Sequence, residues 1–371
     1  MEVVEQLRRR HCVEPAAVAS APGRVNLIGE HLDYNGGLSL PIALPCRTYV
    51  AVAPRSDGRL VVDTLQEGDR VELATAELAP GEGGWAGYVL GVVWALASAG
   101  DGLTLMVDGR VPLGAGLSSS AALECATAVA VDALTGAGAS ADQLVDACVR
   151  AENDYVGAPT GTMDQTVSML AEEGHALLLD FAAGDHRQVP WRPAGELVVI
   201  DTRASHALVG GEYGERRRAC EEAAATLGVE HLALAAPEQL ERLTDPVQRR
   251  RAAHVVSETA RVRELVAAVE QGDWRRVGTL MTESHASLRD DYEVSCRELD
   301  VAVAAALAHG AYGARMTGGG FGGSAIALVP PGRGEEVRSA VTHAFAAEGL
   351  APPAFVDGTA SGPAEVVTPG R

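Results

Sequence analysis

A chain of 371 residues exceeds what one hydrophobic core fills, so two packed domains are expected. Its apolar fraction of 47% excludes a disordered protein, and with aromatics at only 4% the core must be built from Ala, Val and Leu. A net charge of −20 argues against nucleic acid or an anionic membrane as partner, and the 30 basic residues are all Arg. Without Lys there can be no Walker A loop, no protein-kinase strand Lys and no Schiff base. Any phosphate bound here must be held by backbone N–H groups, Arg, Ser or Thr, and metal.

Cys12, Cys46, Cys125, Cys148, Cys220 and Cys296 form no CxxC pair, the usage of reduced thiols in a cytoplasmic protein. The opening Met-Glu-Val-Val-Glu is acidic and unlike a signal peptide. The apolar stretch Ala121–Leu134 carries Glu124 and Asp132, so no membrane span is expected.

Along the chain, Tyr49–Leu73 alternates short apolar runs with Arg55-Ser-Asp-Gly and Gln66-Glu-Gly-Asp, which predicts hairpins. Helical periodicity follows over Trp85–Ala99, then a strand at Leu103–Val107, an Ala-rich helix to about Leu134 and another over Ala141–Glu152. After Asp164 come an apolar helix and a strand pair at His175–Phe181 and Leu197–Asp201. Glu212–Glu298 reads as helix throughout. The last section returns to strand–Gly–strand over Ala314–Val329, a helix over Glu335–Glu348 and a short strand near Ala364–Val367. This mixture predicts an α+β chain with domains at 1–185 and 186–371.

Three segments carry chemistry. Pro22-Gly-Arg-Val-Asn-Leu-Ile-Gly-Glu-His-Leu-Asp-Tyr-Asn-Gly-Gly37 concentrates Arg24, Glu30, His31 and Asp33, a set suited to several hydroxyls of one polar ligand. A solvated turn with a helix cap would use the same residues. Pro112-Leu-Gly-Ala-Gly-Leu-Ser-Ser-Ser-Ala-Ala-Leu-Glu124 allows a tight turn at Gly114 and Gly116, then opens a helix whose orphan N–H groups favour an anion. A Ser cap on a core helix is the plainer alternative. Arg315-Met-Thr-Gly-Gly-Gly-Phe-Gly-Gly-Ser324 is too rich in Gly for a packed strand and forms a loop that can lie against a ligand or another loop.

In order and spacing the three segments resemble the signatures of the GHMP small-molecule kinases, the first being similar to that of galactokinases. The resemblance runs from Arg24 to Gly323. It implies a ribosomal protein S5 domain 2-like N-terminal domain, a ferredoxin-like C-terminal domain, and transfer of the ATP γ-phosphoryl to the C1 hydroxyl of galactose. It further implies Asp164 and Arg24 as the catalytic pair, and Glu30, His31, Asp33, Asp164 and Tyr213 around the sugar. Trp85 and Tyr88 would lie beside the adenine, Gly114, Gly116, Leu117, Ser118, Ser119 and Ser120 along the phosphates, and Ser119 with Glu152 on Mg²⁺. The partners implied are galactose and ATP, acting on a monomer. Galactokinases usually carry Thr where this chain has Leu32, which implies a changed hydrogen bond or a broader sugar range. N-acetylgalactosamine and arabinose are therefore alternative substrates, and a non-catalytic sugar and ATP sensor is an alternative of another class. The complete Ser118-Ser-Ser-Ala-Ala122 run favours catalysis.

Overall fold

Strands covered on both faces lose the polar–apolar alternation, and runs such as Tyr49-Val-Ala-Val-Ala53 read that way. In the computed structural model, which describes residues 1–66, 68–81, 84–158, 160–204 and 209–367, these runs build a six-stranded sheet. Its order is β13 (Glu365–Val366), β1 (Ala17–Asn26), β3 (Pro41–Pro54), β6 (Gly102–Gly109), β4 (Arg59–Thr64) and β5 (Val71–Ala74). On one face Ala19, Ala21, Val50, Val52, Leu103 and Leu105 join the core under α2 (Gly84–Ala95) and α3 (Ser119–Thr135). On the other, Val18, Ala51 and Met106 pack against Val3, Val4 and Leu7 of α1 (Glu2–His11).

α4 (Ala141–Arg150) starts on a reciprocal Ser140–Gln143 capping box and runs into a single π-helical turn, Ala151–Val156; α5 (Met163–Leu170) follows. A small second sheet joins β2 (Leu38–Ser39), β7 (His175–Asp180) and β8 (Asp185–Pro190).

The third sheet is antiparallel, β10 (Gly313–Thr317), β11 (Ser324–Val329), β9 (Glu196–Asp201) and β12 (Ala354–Asp357). Between β9 and β10 lie α6 (Val209–Leu227), α7 (Pro246–Gln271), α8 (Trp274–Asp290) and α9 (Arg297–Ala308), and α10 (Gly334–Ala347) connects β11 to β12. Strand order and connection are those of a ferredoxin-like unit. The expected α+β class is what the chain forms.

Three details differ from the sequence reading. Only the second turn of the Tyr49–Leu73 stretch closes a hairpin, because β6 inserts between β3 and β4 and pairs parallel with β4. β7 pairs with β8, not with β9; β8 was invisible because Asp185-His-Arg-Gln-Val-Pro190 buries only Val189. Since β8 belongs with the N-terminal sheets, sheet membership changes between Pro190 and Glu196, beyond the 185/186 boundary, and β13 returns to the first sheet.

α8 lies so close to β10 that a Cβ on Gly278 would fall 2.2 Å from the Tyr312 carbonyl. Gly278→Ala is expected to destabilise by about 3 kcal/mol. Gly58→Ala, at φ +70° with open space around it, should lose only about 1 kcal/mol. Urea unfolding midpoints of the two variants check this.

Candidate active site

The first segment leaves the sheet along β1. Arg24, at its end, is buried, so its guanidinium needs partners for every donor. Nε and Nη2 bond Asp164 Oδ1 and Oδ2 at 2.8 and 2.9 Å, and Nη1 bonds the Gly116 carbonyl at 2.6 Å. Asp164 sits in the first turn of α5, and its Oδ2 also accepts from Ser118 Oγ at 2.5 Å. One carboxylate thereby ties β1, the glycine turn and the start of α3. Ser118 adopts φ 58° and His31 φ 62°, left-handed conformations that are uncommon for residues other than glycine.

Arg24, Glu30, His31, Asp33, Asp164 and Tyr213 converge on one cavity of about 170 Å³, closed by Thr160, Gly161, Met163, Gly318 and Gly319. The third segment is fastened to this wall. Thr317 Oγ1 donates to the Asn26 carbonyl and accepts from the Asn26 N–H, both at 3.0 Å. Arg315, fully buried, pairs with Glu30, whose Oε1 accepts the Gly318 N–H at 3.2 Å. Glu258 lies 3.9 Å from Arg315 and accepts from Ser284 and Arg261. Burial raises the Glu30 carboxyl. Burial opposes ionisation of Glu258, yet the nearby Arg261 and Arg315 guanidinium groups, with His254 and the Ser284 hydroxyl, lower its carboxyl to about 2.

Burial pushes His31 down to about 3, so its ring is neutral. Nε2 faces the Gly319 carbonyl at 3.2 Å and must donate; Nδ1 therefore accepts from Tyr34 Oη at 2.8 Å. Tyr34 in turn accepts from Tyr292 Oη at 2.9 Å, and Tyr292 from Cys220 Sγ at 3.1 Å. Both His31 nitrogens are thus taken within the protein, so His31 shapes the cavity wall and offers no free ring nitrogen.

A second, mainly apolar cleft of about 90 Å³ is lined by Thr64, Gln66, Trp85, Leu113, Ser119 and Leu123, among others. Ser119 borders this cleft while Ser118 bonds Asp164 in the wall of the first cavity, so the α3 N-terminus lies between the two. Gly114 and Gly116 take φ +70° and +69°, and Leu117 buries its side chain in the core and contributes backbone. Tyr88 does not line the cleft. It faces Glu152 and Glu124, whose charges add to burial in raising its phenol.

Glu152, in the π turn, is buried, and burial raises its carboxyl. Its Oε2 accepts from Thr160 Oγ1 at 2.7 Å and Gln165 Nε2 at 2.6 Å. The Ser120 hydroxyl favours the charged form of Glu152, whereas Ser119 lines the apolar cleft, as successive helix residues point about 100° apart. Burial and the neighbouring Glu152 push Glu124 well above the usual carboxylate range. Among the described residues no group of three or more His, Cys, Asp or Glu side chains could hold a metal. Oxygen donors from one Glu and one Ser still suit Mg²⁺, which commonly takes few protein ligands and completes its shell with phosphate and water.

Leu32 is fully buried in the core and is not among the residues lining the polar cavity. Of Ser205–Tyr213, residues 205–208 lie outside the described residues; Tyr213, on α6, lines the cavity. Arg315, Tyr34, Tyr292, Thr160 and Gln165 were not singled out from the sequence. The Arg at the head of the glycine segment was the one available signal.

Residues 6–54 match the galactokinase galactose-binding signature, 87–172 the N-terminal domain of GHMP kinases and 265–347 their C-terminal domain. A galactokinase of Streptomyces coelicolor is 50% identical over 364 residues, 95% of this chain and 94% of its own length. The chain belongs to the galactokinase family. A human galactokinase is 45% identical across 88% of this chain and 87% of its own. The crystal structure of Lactococcus lactis galactokinase complexed with galactose matches with a TM-score of 0.93 at 30% identity, covering 98% of both chains. Mevalonate kinase of Methanococcus jannaschii, 17% identical with a TM-score of 0.68 over 92% of this chain and 97% of its own, shares the fold.

In this member of the galactokinase family Asp33 sits against Gly161, and burial followed by the Asp164 charge lifts its carboxyl to about 6. From its ordinary 3.8 up to that value the folded protein keeps a proton that the unfolded chain has released, so stability falls as pH rises through this window. Asp33→Asn is expected to stabilise the sugar-free protein by about 2 kcal/mol at neutral pH and by nothing at about pH 4. Urea unfolding at the two pH values measures this, and galactose binding by the same variant should be lost.

Proposed function

We propose that the protein transfers the γ-phosphoryl group of ATP to the C1 hydroxyl of α-D-galactose, giving galactose 1-phosphate and ADP. The observation that carries this is the position of Asp164, which faces the polar cavity while held by Arg24 and by the Ser118 that opens α3. Two of the acids around that cavity, Glu30 and Asp33, can accept sugar hydroxyls, and Tyr213 adds a phenol. Such a set penalises an epimer that leaves a buried acceptor unpaired.

In this reading a C1 hydroxyl against Asp164 is oriented by the carboxylate, which takes its proton as the bond to phosphorus forms. Arg24, fixed by Asp164 and the Gly116 carbonyl, stands where negative charge accumulates. The triphosphate lies over the first N–H groups of α3, with the base between Trp85 and Leu113 in the apolar cleft. Glu152 and Ser120 would hold Mg²⁺, which when bound neutralises phosphate charge. The six free thiols support a reducing compartment, the cytoplasm.

Asp164→Asn should lower kcat by about 10²- to 10⁴-fold. In a coupled ADP-release assay over galactose, glucose, N-acetylgalactosamine and arabinose, galactose should give the highest kcat/KM, and an equal rate with glucose would refute the substrate. Ser120→Ala should raise the Mg²⁺ concentration for half-maximal rate by about 10-fold, whereas Ser119→Ala should act on the KM for ATP. The reverse pattern would return the metal to Ser119.

A further inference from the structure

Gln165 follows Asp164 directly, is fully buried and takes no part in the chemistry described above. Its amide nitrogen donates to Glu152 Oε2 at 2.6 Å and to Glu124 Oε2 at 3.0 Å. Both amide hydrogens are therefore spent, one on each acid. In this orientation the Gln165 amide oxygen is buried without a partner, and both donors face the acids. Thr160 Oγ1 reaches the same Glu152 Oε2 at 2.7 Å. With Oε2 accepting from both Thr160 and Gln165, the lone pairs left for a cation are those of Oε1. Glu124 is fully buried too, with Gln165 bonded to Oε2 and no partner at Oε1, and it secures the far side of the amide.

We propose that Gln165, locked in place by Glu124, is the positioning residue of the metal site: it and Thr160 clamp one oxygen of Glu152 so that the other is presented as a single-oxygen ligand to the divalent cation. The inference rests on Glu152 being the metal carboxylate, as read above. Mg²⁺ demands near-octahedral geometry and tolerates a swinging or two-oxygen carboxylate poorly, which gives the clamp its purpose. The clamp also gives a buried acid at the end of the serine segment a purpose. Because Thr160 and Asp164 both line the sugar cavity, the strip that grips the metal ligand is also a wall of the acceptor site.

The test reads Mn²⁺ dissociation from the protein–ATP complex by electron paramagnetic resonance, and galactose binding by calorimetry without nucleotide. Gln165→Met, which keeps the volume and removes both donors, should weaken Mn²⁺ by about 10-fold or more while galactose affinity stays within about 3-fold. Glu124→Gln should retain most of the affinity, since an amide oxygen can still accept from Gln165, and Glu124→Leu should not. Thr160→Val, in a loop, should likewise weaken Mn²⁺ by about 10-fold should the core variants fail to fold; only its metal affinity is read, because Thr160 borders the sugar cavity. Equal losses for metal and sugar in every core variant would reduce Gln165 to a structural role and overturn the proposal. If Glu152→Gln abolishes Mn²⁺ binding but Gln165→Met and Thr160→Val leave it intact, the clamp is wrong and the metal carboxylate stands. If Glu152→Gln changes nothing, both fall.

Discussion

The bidentate grip of Arg24 on Asp164 is the constraint around which the molecule is organised. A buried guanidinium is costly to desolvate, and removing one partner of such a pair typically destabilises by about 3–5 kcal/mol. Here its donors reach a helix and a glycine turn more than ninety residues away in sequence. Satisfying one Arg therefore fixes where the sheet edge, the turn and α5 meet. The site's geometry and the fold's polar bookkeeping are one problem with one solution.

A second knot, Arg315 with Glu30 and Glu258, solves the same problem between the two halves. Three fully or nearly fully buried charges are expensive to desolvate, and their mutual attraction is returned only in good geometry. Additional donors from Gly29, Gly318, Ser284 and Arg261 complete the acids' coordination. This arrangement favours a single relative placement of β1 and β10, which is what a site shared between two sheets requires.

Much of this was legible from residue types. The glycine turn before Ser118, the acids clustered after Arg24 and the absence of Lys all pointed to backbone-held phosphate beside a polyhydroxylated ligand. The Ala-rich helix and the strand–Gly–strand near the end were found almost to the residue. What escaped lay in contacts distant along the chain. The sequence shows Leu32 in place of the usual Thr but not that its side chain is buried in the core. Ser119 and Ser120 are indistinguishable in a run of three serines, because only the helix phase decides which hydroxyl meets Glu152. β8 carries one buried side chain in six and leaves no periodic trace. His31 lines the cavity, but the phenol of Tyr34 and the Gly319 carbonyl on its nitrogens could not be assigned to it from sequence.

β13 pairs Ala19 with Val366 and Ser20 with Glu365, and Arg47 reaches the carbonyls of Gly362 and Pro363 just before it. The strand that carries Arg24 is thus flanked on one side by a segment very distant from it in sequence. Pairing across such a separation closes a long loop, whose entropic cost rises only slowly with length but delays the contact in folding. The buckle beside the phosphoryl-transfer strand is therefore a late and inexpensive one, fastened once the intervening sheets have brought its two halves near.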